Sequence, residues 1–171
     1  MKISLLILSL FVILLTGCQD TKSNLESREK LRGNQNIVLV KKMLTEGDNN
    51  NVDFLNELCA PDYKYYFPSN ANPLTVEEHK EIWTGFNQAF PDLTHTIKDI
   101  YAVDDIVVAR LTVSGTHKGE LGGIPATGQT VEVGQLLMLR FNDSKLIELR
   151  EEADLLGFYT QLGMELQMKN N

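Results

Sequence analysis

Side chains able to move protons are scattered along this 171-residue chain rather than clustered. Of its three histidines, His79 lies between Glu78 and Lys80 on a helix and is expected at the surface. His95 has no carboxylate or cysteine at ligand spacing, and three separated histidines do not make a metal site, so no metal is expected. His117 shares the parity of Val107, Ala109, Leu111 and Val113, an apolar strand face with a polar end. Either a pocket position or a simply hydrogen-bonded strand end suits it. Asp154 shares its parity with Glu148, Arg150 and Glu152, a set that plain alternation sends to solvent. A bulge or strand end near Ala153 would turn it inward, whereas as the N-cap of a following helix it would be structural. The chemistry open to an imidazole and a carboxylate beside an apolar space is proton transfer. The glycine-rich loop from Leu121 to Gly128 leads into no helix and is not a phosphate cradle.

The elements that must position these groups follow from periodicity. Ile37, Val40, Met43 and Leu44 repeat at helical spacing up to Gly47, and Val52, Leu55, Leu58 and Cys59 predict a second short helix closed by Pro61, with Cys59 in the core. Tyr63, Tyr65 and Phe67 alternate with Lys64 and Tyr66 as a strand would. Thr75 and Glu78 form a capping box, and Ile82, Trp83, Phe86, Ala89 and Phe90 give the helix behind them a bulky apolar face that ends at Pro91. Strands are expected over 95–102, 105–117, 129–141 and 145–153, then a helix over about 155–166. Helices first and a meander afterwards is an α+β order, with helices packed on one face of a curved antiparallel sheet. Such a sheet leaves a cone-shaped space that opens as a ligand site, which Trp83, Phe86 and Phe90 either line or fill as core.

The first residues carry an address. Ile3 to Leu15 is apolar except for Ser4 and Ser9, follows Lys2, and is too short to span a membrane. Leu15-Thr16-Gly17-Cys18 resembles the lipobox of bacterial lipoproteins, which implies cleavage before Cys18 and acylation of its sulfur. The expected organisation is a signal peptide over 1–17, a lipidated flexible tether over 18–35, and one domain over 36–171. The expected location is the bacterial cell envelope, with the membrane reached through lipid on Cys18. Cys59 is then the one remaining thiol, so no intramolecular disulfide is expected. A net charge of -7 argues against nucleic acid as a partner.

Three segments stand out in order and spacing. They are Phe90-Pro91-Asp92-Leu93; Gly115-Thr116-His117-Lys118-Gly119-Glu120 with Gly123-Ile124-Pro125-Ala126-Thr127-Gly128; and Lys145-Leu146-Ile147-Glu148 with Asp154-Leu155-Leu156-Gly157-Phe158 and Gln161-Leu162-Gly163. Together they resemble the SnoaL-like polyketide cyclases, or ester cyclases, of the nuclear-transport-factor-2-like superfamily, over roughly residues 36–166. The resemblance implies a cone-shaped α+β barrel working without metal or cofactor. It also implies Asp154 as general acid and base, with His117 donating to the carbonyl oxygen as it becomes an enolate. Where many relatives carry a histidine followed by an aspartate, this chain has Tyr65, Tyr66 and Phe67. That departure weakens proton transfer at this point and leaves Tyr65, with Trp83, Phe86 and Phe90, as a candidate for substrate contact. Two functions follow: acid-base cyclisation, isomerisation or hydration of a small apolar carbonyl compound, or a pocket that binds a small ligand or serves a partner protein without turnover. An exported location leans against literal polyketide closure. Pairing through the exposed sheet face, as relatives do, makes a homodimer the expected assembly.

Overall fold

The computed structural model describes residues 3–165 and 167, with side chains from Asn24 onward. Cys18 and the expected signal segment fall outside the described side chains. The elements run α1 (Ile3–Asp48), α2 (Phe54–Leu58), β1 (Cys59–Tyr66), α3 (Val76–Ala89), β2 (Thr94–Val103), β3 (Ile106–Thr116), β4 (Thr130–Asn142), β5 (Lys145–Ala153) and α4 (Leu155–Gln161).

Five strands form one sheet in the order β1-β5-β4-β3-β2. The last four are the expected antiparallel meander, with tight turns at Asp104-Asp105 and Asp143-Ser144. Asp143 and Ser144 both take positive φ, as a type I′ turn requires. β1 differs from expectation because it lies parallel to β5 at the sheet edge. It also begins at Cys59, where a helix was expected to end, and it carries Pro61. An edge strand tolerates proline, since one of its sides needs no ladder hydrogen bond.

The helices pack on one face of this sheet. α3 begins with the expected capping box: Thr75 accepts from the Glu78 N–H while the Glu78 carboxylate takes the Thr75 N–H at 2.7 Å. Residues 24–35, expected within a flexible tether, instead continue α1. Their glutamates, lysine, arginines and leucines are good helix formers, and contact with the sheet holds the helix. Gly33 presses on Ala102 of β2 and Asn36 is buried beside it. The main core joins Val40, Met43 and Leu44 of α1 to Leu111, Leu139 and Leu149 of the sheet. A second cluster, around Phe90, Val131 and Phe158, closes the other end. Cys59 is buried, and burial pushes its thiol up to about 12, so it is an inert core residue.

Candidate functional site

Between the helices and the concave face of the sheet lies an apolar cavity of about 100 Å³, partly open to solvent. Met43 and Leu44 of α1 and Trp83 and Phe86 of α3 form one wall. Val113, Val133 and Leu137 of the sheet form the other. Six polar or titratable groups enter this lining: Tyr65, His79, His95, Gln135, Glu151 and Asp154.

Glu151 is the residue that sequence reasoning missed. It continues the parity of Ile147 and Leu149, and β5 pairs it with Leu137, so the pleat carries its side chain inward. A charged residue on an apolar strand face was the available signal. The Tyr65 hydroxyl donates to its Oε2, and Gln135 Nε2 donates to Oε1 at 2.7 Å. Burial raises its pKa, because the carboxylate loses water in an apolar cavity. The hydrogen bonds from Tyr65 and Gln135, and the charge of His95, pull the other way without overcoming burial. Tyr65 itself is buried, which holds its phenol well above the usual range and keeps it a donor.

His95, on β2, also departs from expectation, since a carboxylate does meet it. Asp48, the last residue of α1, lies 2.5 Å from His95 Nδ1 and accepts the His95 backbone N–H at 2.9 Å. Those residues are 47 positions apart, so local spacing could not show the pair.

His79 is not at the surface. On a helix its spatial neighbours are three and four residues away, not Glu78 and Lys80. It shares the face of Trp83, stacks on that ring at 5.4 Å and meets the Tyr65 ring at 4.1 Å, tilted by 38°. Its Nδ1 lies 3.0 Å from the Tyr63 hydroxyl. Burial pulls its pKa down to about 3, so the ring is neutral.

The two residues implied as a catalytic pair are not brought together in the cavity. Asp154 sits at the rim as the N-cap of α4, its Oδ1 accepting the Gly157 N–H at 2.8 Å. A carboxylate so engaged satisfies one of the helix's unpaired N–H groups. His117 is fully buried but does not line the cavity. Its ring stacks on Phe90 at 5.0 Å, and its Nδ1 accepts the Thr127 N–H at 3.2 Å, which ties down the loop between β3 and β4. The apolar face that ends at His117 belongs to the second core cluster at that point. Of the aromatic candidates, Tyr65, Trp83 and Phe86 line the cavity, whereas Phe90 is wholly buried behind it. Among the described residues no group of histidines, cysteines and carboxylates could hold a metal ion.

Comparison with known proteins matches this architecture. A family model for SnoaL-like polyketide cyclases matches residues 38–162. An aklanonic acid methyl ester cyclase of Streptomyces sp. strain C5 is 29% identical over 137 residues, covering 74% of this chain and 81% of the relative. A SnoaL-like protein of Jannaschia sp. CCS1 superposes with a TM-score of 0.72 at 25% identity, covering 78% of this chain and 95% of that one. IdmH of Streptomyces antibioticus does so with a TM-score of 0.68 at 29% identity, covering 76% and 99%. The concave sheet, the capping helices and the cavity between them are those of an α+β barrel, and the chain belongs to the SnoaL-like polyketide cyclase family.

Proposed function

We propose that the domain is an acid-base catalyst acting on a small, largely apolar carbonyl compound, with the Glu151 carboxyl as its proton-transfer group. The observation that carries this reading is a carboxyl buried in an apolar cavity and held by Tyr65 and Gln135. A carboxylate deprived of water is a stronger base than an exposed one. It takes a proton from carbon beside a carbonyl, and the electron pair passes into the carbonyl as an enolate. Returning that proton at another atom is an isomerisation; attack of the enolate carbon on a second carbonyl is a ring closure. The ester cyclases among the relatives support ring closure. Asp154 remains within reach of a ligand entering at the rim, although its carboxylate is committed to the α4 cap.

β-Tetralone, a fused-ring ketone with acidic protons beside its carbonyl, is a suitable probe. The protein should speed exchange of those protons in heavy water, followed by NMR, and Glu151→Gln should slow it about a hundredfold while leaving binding intact. Binding without exchange by the wild type would point instead to a non-catalytic ligand-binding module.

We also propose that the chain is an exported lipoprotein held in the bacterial envelope by acyl groups on Cys18. The apolar run from Ile3 to Leu15 and the Leu15-Thr16-Gly17-Cys18 sequence support it. That location favours a small carbonyl compound of the envelope over a polyketide intermediate as substrate.

A further inference from the structure

We propose that His95, oriented by Asp48, is the second proton-transfer group of the cavity, giving the substrate oxygen a proton from Nε2 while Glu151 takes the proton from carbon. The proposal rests on the Glu151 reading and supplies the acid that reading lacks. Its basis is position. β5 and β2 are separated in the sheet by β4 and β3, so Glu151 and His95 reach the cavity from opposite sides of its curved floor. His95 is paired with Val113 and Val113 with Val133, while Glu151 is paired with Leu137, so Val113, Val133 and Leu137 form the apolar floor between the strands that carry the two titratable groups, with Gln135 beside Glu151 on the same face. A flat apolar ring seated on those valines would have a carboxyl at one edge and an imidazole at the other.

The second observation is how His95 is held. Asp48 binds it twice, through the backbone N–H and through Nδ1, which fixes the ring and leaves Nε2 as its free nitrogen. Both side chains are mostly buried, His95 9% exposed and Asp48 19%. Asp48 sits at the C-terminal end of α1, where the helix dipole disfavours a negative charge. Its bond to His95 offsets that, so the carboxylate has a partner that explains its place. The charged and titratable groups around His95 are Asp48 from α1, Glu151 from β5 and His79 from α3, and Trp83 meets it edge-on at 5.8 Å.

The step balances. The substrate C–H bond breaks and its proton goes to the Glu151 carboxylate. The electron pair forms either the enol double bond or a bond to a second carbonyl carbon. The displaced carbonyl π pair moves to oxygen, which takes the Nε2 proton from a protonated His95. Glu151 is then one proton richer and His95 one poorer, and transfer of that proton through water restores both. Asp48 acts through His95 and is a positioning residue; it supplies the counter-charge while the ring is protonated.

The test uses the full chain and β-tetralone exchange. His95→Gln should lower kcat about a hundredfold with KM changed less than about twofold. Asp48→Asn should lower kcat about tenfold with KM changed less than about twofold, because an amide presents the wrong partner to Nδ1. In the wild type, NMR of nitrogen-labelled imidazoles should show the His95 Nε2 resonance move when β-tetralone is added. Activity lost in Glu151→Gln but kept in His95→Gln would overturn the role of His95 and leave Glu151 standing. A wild type without exchange removes both. An unmoved Nε2 resonance in the presence of bound probe overturns the proposal whether or not the variants fold.

Discussion

At the scale of single residues, burial acts in opposite directions on two groups of one cavity. Glu151 is pushed up, so the folded protein holds its proton more tightly than the unfolded chain does. Its contribution to stability is therefore full below the unfolded value of 4.5 and is lost as pH rises through the folded pKa. Glu151→Gln should gain stability on the wild type as pH rises above that value, read as a widening difference in urea midpoints. His79 is pulled down from 6.5 to about 3, so below 6.5 the unfolded chain takes a proton that the folded protein refuses. Stability tied to His79 is lost as pH falls, by about 2 kcal/mol at about pH 5. His79→Gln, compared with the wild type across that window, should abolish this acid-side slope while lowering the neutral-pH midpoint through lost ring contacts with Tyr65 and Trp83. An unchanged slope would mean that the ring is not buried neutral.

At the scale of elements, the cavity depends on how α3 crosses α1. Trp83 lies over Gly47, where an added Cβ would fall 1.8 Å from Cζ2 of the indole. Helix propensity favours alanine over glycine by about 1 kcal/mol, but here the clash outweighs it. Gly47→Ala should lower Tm and shift the emission of the chain's single tryptophan, since the indole must leave its place on the cavity wall. The start of α3 offers a milder check. Thr75→Ala removes the cap on the Glu78 N–H and should cost about 1 kcal/mol without touching the cavity. The other end of α3 is closed from a distance: Lys118 and Gly119 both donate to the Ala89 carbonyl, and His117 anchors the loop that carries them. His117 thus serves the frame of the site.

At the scale of the whole molecule, the proposed lipid anchor is tested separately from the cavity. Cys18→Ser should move the protein from the membrane to the soluble fraction with β-tetralone binding unchanged, and unaltered fractionation would remove the lipoprotein reading. Much of the architecture was legible in the residues alone. Hydrophobic periods, the Thr75–Glu78 box and the turns at Asp104 and Asp143 are local patterns, and they placed α3 and the four meander strands close to where they are found. The α+β order followed from them. The tether was read from composition, which registers polarity but not the contact of Gly33 and Asn36 with β2. The parallel place of β1 beside β5 was likewise undecided, since no local pattern states which edge a strand joins. The same limit divided the site. Trp83 and Phe86 were found from one helix face, and Tyr65 from strand alternation and its place among the family's motifs. The bonds of Glu151 to Tyr65 and of Asp48 to His95 join residues 86 and 47 positions apart. Sequence determined which faces are apolar and in what order elements form, because those follow from neighbours along the chain. Tertiary structure decided which carboxyl is buried and which histidine meets a carboxylate, because desolvation and pairing depend on what the fold brings close.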